Sequence, residues 1–316
     1  MIVITGVGGF AGRHLAALCA ERGVEVAGIG RSVKPDLPAL PSYDQVDLAD
    51  AEATRTAIAR LKPDQVVHLA AQASVARSWE TPGEVISANV PTSLNLLEAL
   101  RLEAPESITL VACSGEEYGR PSQLPVVEEH QLRPQNPYAA SKAMSDLLAG
   151  FYADAHGLRA VRTRAFNHAG PRQSETYVIA SFAKQIAEAE AAAPEDGRAL
   201  LVTGNLDVRR DFSDVRDVVR AYWLLLQDAA PDVFNVCSGR ATSVSDILDR
   251  LAALSPLEVE RRVDPSRLRE GEVMEIRGSH DKLTEATGWQ PEIDLDQTLR
   301  DTLDWWRERV AAGVTR

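Results

Sequence analysis

Met1-Ile2-Val3-Ile4-Thr5-Gly6-Val7-Gly8-Gly9-Phe10-Ala11-Gly12 opens the chain, and its reading decides the fold. Residues 1–5 are an apolar run of the kind that forms a parallel strand buried on both faces. Gly6, Gly9 and Gly12 follow at three-residue intervals, and Arg13 to Cys19 continue with helical periodicity toward Gly23, a residue suited to a C-terminal stop. Strand, glycine turn and helix in this order set backbone N–H groups and the positive end of a helix against a phosphate. Glycine is needed where any side chain would block a pyrophosphate. An ordinary glycine-rich turn has the same composition, but this one opens a strand-helix-strand unit, and dinucleotide binding is the expectation.

The next strand, Val24 to Ile29, ends at Gly30-Arg31-Ser32-Val33-Lys34. An acidic residue at that tip would bind the ribose hydroxyls of NAD, and none is there. Arg31 and Ser32, with Lys34 beside them, suit a 2′-phosphate, so NADP(H) is expected and NAD(H) is the alternative; the same residues could also be a solvated loop. Asp47-Leu48, after the third strand, resembles the pair that lines the adenine pocket in such folds. Asp47 could equally cap a helix from Ala49 to Leu61.

Strand and helix keep alternating through Gln65 to Ala71, a helix from about Asn89 to Glu103, and the strand Ser107 to Ser114. Ligands of open parallel sheets sit at the carboxyl ends of strands, which puts Ser114 on the same edge as the glycine turn. Tyr138 and Lys142 stand four residues apart on the next helix, so one turn separates them and the ammonium is expected beside the phenol, drawing its pKa down from ~10 toward neutrality. That spacing alone also fits a surface lysine near a packed tyrosine. Beyond residue 165 the strands shorten (200–203, 232–237, 273–277) between helices at 178–193, 214–228, 243–254 and 294–312. The expected architecture is α/β: a doubly wound, Rossmann-type parallel sheet of six or seven strands in residues 1–165, with returning segments near 204–240, and a smaller substrate lobe in the rest of 166–316.

Composition excludes several classes. The 316 residues are 45% hydrophobic, enough for one large core and a lobe. No apolar run approaches the ~20 residues of a membrane span, and the start reads as a strand rather than a signal peptide, so a cytoplasmic protein is expected. Cys19, Cys113 and Cys237 have no metal-like spacing and read as reduced core thiols, and the six histidines form no ligand set, so no metal is expected. A net charge of −12 argues against nucleic acid and anionic membranes as partners.

Together, Thr5-Gly6-x-x-Gly9-x-x-Gly12, Ser114 and Tyr138-x-x-x-Lys142 resemble the extended short-chain dehydrogenase/reductases, in their nucleotide-sugar branch. Ser114-Gly115-Glu116-Glu117-Tyr118-Gly119, Arg164 to Pro171, Gly204 to Asp217 and Leu268 to Val273 narrow the resemblance to the GDP-mannose 4,6-dehydratase subgroup and its relatives, the GDP-6-deoxy-4-keto-mannose reductases (GDP-D-rhamnose synthases). The segment Arg210-Asp211-Phe212-Ser213-Asp214-Val215-Arg216-Asp217 is similar to the reductase pattern, and the arginine-serine-rich segment of the dehydratases is missing after Arg31-Ser32. The resemblance therefore implies NAD(P)H-dependent reduction of the C4 ketone of a GDP-4-keto-6-deoxyhexose. The alternatives are a GDP-mannose 4,6-dehydratase with Glu116 as the base at C5, another nucleotide-sugar 4-epimerase or dehydratase, and a non-catalytic NADP-binding sensor.

Carried over by position, Ser114, Tyr138, Lys142 and Glu116 form the catalytic set. The cofactor set is Gly6, Gly9, Phe10, Ala11, Gly12, Arg31, Ser32, Asp47, Leu48, Leu69, Ala70, Ala71, Tyr138, Lys142 and His168. Asn167, Val178, Lys184, Arg210, Arg269 and Glu272 join Ser114 and Glu116 toward the GDP-sugar. For Lys184 a surface salt bridge is the other reading, and for His168 a structural ring. Gly115 departs from the usual serine, and Cys113 is expected to pack behind its strand. In this family the helices of 82–103 and 136–156 form a four-helix bundle across a two-fold axis, so a homodimer is expected.

Overall fold

In the computed structural model, which describes residues 1–38, 40–228, 230–268 and 272–313, the first strand β1 (Ile2–Thr5) is buried along its whole length and runs through the glycine turn into α1 (Phe10–Glu21). β2 (Val26–Gly30) and β3 (Ser42–Gln45) follow on one side of it, and α2 (Ala51–Leu61) leads back to β4 (Gln65–His68) on the other. α2 starts at Ala51 rather than Ala49, because Asp50 and not Asp47 is its N-cap: the Asp50 carboxylate accepts from Ala53 N at 3.0 Å, whereas Asp47 accepts from Ala49 N in the preceding turn.

After α3 (Val75–Glu80) and the long α4 (Pro82–Glu103) come β5 (Ile108–Ser114), α5 (Pro137–His156) and β6 (Arg159–Ala165). Local chemistry sets the start of α5. Asn136 accepts from Ala139 N at 2.8 Å, and Pro137 occupies the first helical position, where no N–H is needed. Gly157, at φ 70, ends the helix.

The second half begins with β7 (Asn167–Ala169), α6 (Val178–Ala192), β8 (Arg198–Thr203), β9 (Arg209–Asp214) and α7 (Val215–Asp228). It continues with β10 (Val233–Val236), β11 (Ala241–Ser243), α8 (Val244–Ala252), β12 (Glu258–Val263), β13 (Glu275–Ile276), α9 (Asp281–Thr287) and α10 (Leu295–Ala311).

Seven strands form the main sheet, all parallel, in the order β10-β6-β5-β4-β1-β2-β3. Six come from the first 165 residues. The seventh, β10, returns from the second half and pairs Val233 with Arg162 at the edge. One face is covered by α1 and α7, with Leu15, Cys19, Tyr222 and Leu225 fully buried; the other by α2, α4 and α5, with Ile58, Leu96, Leu100 and Ala149. Burying each large aliphatic chain contributes roughly 1.5–3 kcal/mol, which makes the sheet a firm base for the loops at its edge. Leu283 and Trp289, in the stretch assigned to the second lobe, also pack into the sheet core, and Trp289 Nε1 donates to Asp217 O at 3.0 Å.

α6, α8 and α10 enclose a separate core around Phe182, Ile186, Leu248 and Leu303, beside the small sheets formed by β7, β9, β11, β13 and by β8, β12. The chain order reverses between β1 and β4, and the carboxyl ends of those strands and of β5 open toward this second core. A cleft for ligands follows from that reversal.

Candidate active site

β5 ends in Ser114, and a short 3₁₀ turn over Gly115–Tyr118 starts there as a capping box. The Ser114 Oγ accepts from Glu116 N at 3.2 Å, and the Glu117 carboxylate accepts from Ser114 N at 2.7 Å. α5 crosses this strand end and carries Tyr138 and Lys142. The Tyr138 hydroxyl hydrogen-bonds the Ser114 side chain. Lys142 is buried and donates to Ala112 O at 2.5 Å.

The spacing puts the ammonium beside the phenol, but the hydrogen bond the ammonium makes is to the strand carbonyl. Burial raises the Tyr138 pKa above its ordinary value, the neighbouring Tyr177 phenol adds to the rise, and the Ser114 hydrogen bond opposes it. Four residues of helix bring Lys142 onto the same face, but its ammonium is turned to a strand carbonyl. Burial lowers its own pKa, with Cys113 and Glu117 pulling the other way.

Polar groups brace this floor from below. His68 bonds Thr5 Oγ1 through Nδ1 at 2.8 Å and Ser93 Oγ through Nε2 at 3.1 Å. Ser93 donates to Ser145 Oγ at 2.8 Å, and Asn89 donates to Ser141 Oγ at 2.9 Å, so β1, β4, α4 and α5 are tied by side chains. Desolvation depresses the His68 pKa to about 3, so the ring is neutral. Behind Ser114, Glu117 is fully buried and its pKa is pushed well up, first by burial and then by Asp146. Cys113 packs in the core under β5, as expected, with Glu117 and Asp146 nearby. Their ligand-type atoms lie within 4.8 Å of one another, yet Arg164 Nε sits 2.7 Å from Asp146, so a metal cation there would meet a fixed positive charge.

The glycine turn fits a dinucleotide. Gly9 caps α1 with extended backbone and no side-chain cap, the first turn of α1 carries no acidic residue, and Gly8 and Gly9 are exposed. The first N–H groups of α1 are thus open to a phosphate. Gly6, at φ +68, and Gly12 let the chain fold on itself: a Cβ on Gly12 would lie 2.6 Å from Gly6 O, and one on Gly6 would lie 2.9 Å from the Ala70 backbone. That contact brings Leu69, Ala70 and Ala71 beside the turn, where Ala70 N donates to Thr5 Oγ1 at 3.2 Å. Phe10 stacks on His168, with centroids 5.8 Å apart and planes 4° apart. His168 also bonds Phe166 O through Nδ1, and burial depresses its pKa. Ala11 follows Phe10 in the first turn of α1. Arg31 and Ser32 are exposed at the end of β2, their carbonyls held by Gln45 and Tyr43. Asp47 lies just beyond β3, and Leu48 is buried beneath α4 with its carbonyl taken by Asn95.

On the other wall, Asn167 opens β7 and Val178 opens α6. Arg210 lies 3.6 Å from Glu272, whose second oxygen accepts from Asn205 at 3.1 Å. Lys184 pairs with Glu175 and Glu188 at 3.5 and 3.7 Å, the salt bridge of its other reading. Arg269 lies outside the described residues. Glu116 is half-buried and accepts from Asn136 Nδ2 at 3.3 Å, at the foot of α5.

Two further residues near the floor are not among the expected site residues. Tyr177 precedes α6, reaches across to Ala73 O at 3.3 Å, and influences Tyr138. Asn136 caps α5 and holds Glu116, and its Asn-Pro-Tyr sequence is the one local cue. Gly115 has a packing reason: a Cβ there would stand 3.0 Å from the ring of Phe166.

Residues 3–302 match the family described as GDP-mannose 4,6 dehydratase. The sequence is 36% identical over 312 residues to the GDP-6-deoxy-D-mannose reductase of Pseudomonas aeruginosa, with 98% of each chain covered. It is 28% identical to the GDP-mannose 4,6-dehydratase of Yersinia enterocolitica, over 93% of this chain and 90% of that one. The solved structure of RMD from Pseudomonas aeruginosa complexed with NADPH superposes with a TM-score of 0.85 at 37% identity, covering 98% of this chain and 99% of the other.

Proposed function

The chain belongs to the GDP-mannose 4,6 dehydratase family of extended short-chain dehydrogenase/reductases, and from that premise we propose that it reduces the C4 ketone of GDP-4-dehydro-6-deoxy-D-mannose with NADPH, giving GDP-D-rhamnose or its C4 epimer. The observation that carries this reading is the 36% identity, over 98% of both chains, to a GDP-6-deoxy-D-mannose reductase.

NADP(H) when bound supplies the hydride, and the residues do the rest. The Ser114 hydroxyl, already bonded to Tyr138, orients the ketone oxygen. Tyr138, kept protonated by its raised pKa, gives its proton to that oxygen as charge develops. Lys142 would hold the nicotinamide ribose, the α1 N-terminus with Gly9 the pyrophosphate, and Arg31 with Ser32 the 2′-phosphate, with NADH as the second choice. Asp47 and Leu48 would line the adenine pocket, and His168 on Phe10 the nicotinamide end. The GDP moiety would exchange its diphosphate for carboxylates now held by Lys184 and Arg210, with Asn167, Val178, Arg269 and Glu272 completing the contacts. In this reading residues 1–165, with the returns near 204–240, bind the cofactor and the remainder binds the sugar nucleotide.

A dehydratase is the second reading, supported by Glu116 standing beside Ser114 in the grip of Asn136. One pair of reactions separates them. A reductase consumes NADPH stoichiometrically with GDP-4-dehydro-6-deoxymannose and ignores GDP-mannose plus catalytic NADP⁺; conversion of GDP-mannose to a keto-sugar without net cofactor change would overturn the proposal.

Leu94 and Leu102 on α4, with Met144, Leu147 and Phe151 on α5, are exposed on packed neighbouring helices. A second copy laid across them by a two-fold axis would make the four-helix bundle of a homodimer, and a monomeric mass by light scattering at micromolar concentration would exclude it. No helix among the described residues is long and apolar enough to cross a membrane, and the three cysteines are buried free thiols, which suits the reducing cytoplasm as the site of action.

A further inference from the structure

Cations in this part of the fold are paired: Arg209 with Glu275 at 3.4 Å and Arg210 with Glu272 at 3.6 Å at the small sheet of β9, and Lys282 of α9 with Asp232 beside β10 at 2.7 Å. Arg240 and Arg277 break the pattern. Neither side chain has a carboxylate partner among the described residues, and the Nε of Arg277 is buried without any hydrogen-bond acceptor. Both line one cavity of about 450 Å³, together with His280 and Ser238. In a chain of net charge −12, carboxylates are plentiful, yet among the described residues none pairs with these two guanidiniums. A partly buried guanidinium with an unmet donor is costly, and an anion is the partner that would satisfy it.

The cavity is separate from the cleft. Gly278, on its wall, lies against the ring of Phe166 and the sulfur of Cys237, where an added Cβ would stand 2.7 Å from both. Those residues belong to an apolar cluster with Tyr118 and Val126 that intervenes between the cavity and Ser114.

Among the described residues, the carboxylates of Asp281 and Asp211 are close by, and both are engaged. Asp281 accepts from Ser279 Oγ at 2.7 Å. Asp211 accepts from the backbone of Ser238, Gly239 and Gly278 at 2.8, 3.0 and 3.2 Å. The loop N–H groups are therefore already used, and the two guanidiniums must carry the recognition. His280 bonds Thr284 Oγ1 through Nδ1, which leaves Nε2 facing the loop at Gly239. Two planar forks and an imidazole nitrogen suit the several oxygens of a phosphate group better than a single carboxylate.

We propose that the cavity of Arg240, Arg277 and His280 binds a phosphate group, free or carried on a small metabolite, at a site outside the catalytic cleft. Titration of the full chain with inorganic phosphate, followed by calorimetry, is expected to include one equivalent that is lost or weakened by on the order of tenfold or more in Arg240→Gln and in Arg277→Gln. Arg210→Gln, on the other side of β9, should retain that equivalent. Arg240 is exposed, so its variant tests the site without disturbing the core. Tighter binding of glucose 1-phosphate than of inorganic phosphate, lost in the same two variants, also supports the site and assigns it to an organic ester. Phosphate binding of unchanged stoichiometry and affinity in both variants, or no saturable phosphate binding by the unaltered protein at millimolar concentration, overturns the proposal.

Discussion

The floor of the cleft and its charged margin are built on opposite rules. On the floor, Ser114, Tyr138, Lys142 and His68 are wholly or partly buried, and each is held by groups of the protein itself. On the margin, Arg31 is exposed with no carboxylate partner among the described residues, while Lys184 and Arg210 rest in ion pairs with glutamates. The difference follows from the tasks proposed for them. A proton donor must keep its geometry and its proton, and burial in a closed hydrogen-bond network secures both. A phosphate grip must release, and a cation resting on a carboxylate can exchange that partner for a phosphate oxygen.

Three experiments can break or sharpen this contrast. The largest effect is expected on the floor. Tyr138→Phe removes only the hydroxyl, so sugar-nucleotide binding should persist while turnover falls by ~10²–10⁴-fold. Near-normal turnover would show that the proton comes from elsewhere. The raised pKa also has a consequence for the wild type: Tyr138 stays protonated through neutrality, and activity should not decline from its ionisation until pH exceeds the ordinary tyrosine range.

The second concerns how firmly the floor is held. His68 has its pKa lowered from 6.5 to about 3, so the unfolded chain takes up the proton first as pH falls. Stability from this group is complete above about pH 6.5 and is lost as pH drops toward 3. Between pH 7 and 5 the loss should be roughly 2 kcal/mol, visible in urea unfolding, and His68→Gln should flatten that slope. Equal slopes in the two proteins would mean that the buried ring is not what makes the floor sensitive to acid.

The smallest effect is expected at the margin. Arg31→Ala should weaken NADPH by about tenfold, roughly 1.4 kcal/mol, with little change for NADH, because only NADPH loses a charge-assisted bond, and an exposed one. Equal losses for both cofactors would remove Arg31 from the 2′-phosphate site.

Local rules made much of this legible beforehand. The glycine turn, the strand carrying Ser114, and the helix carrying Tyr138 and Lys142 each declare themselves within a dozen residues, through periodicity of 2 or 3.6 and through residues that cap or break. The same rules also misled. Four-residue spacing put Lys142 beside Tyr138, but the contact depends on where β5 presents its Ala112 carbonyl, and that oxygen takes the ammonium. Asp47 and Asp50 are both acceptable caps by type, and only the path of the turn chose Asp50.

By itself, then, the sequence determined the α/β alternation, the nucleotide-type turn and the presence of Ser114, Tyr138 and Lys142 on one edge of a parallel sheet, because these follow from short-range geometry. Tertiary structure alone decided the rest. It inserted β10 beside β6, drew Leu283 and Trp289 into the sheet core, brought Tyr177 within influence of Tyr138, and set Arg240 and Arg277 together with no carboxylate paired to either among the described residues. Each of these joins residues tens to more than a hundred positions apart, or leaves a charge unmatched. Such outcomes depend on which surfaces meet when the chain returns, and no local pattern of side chains encodes them.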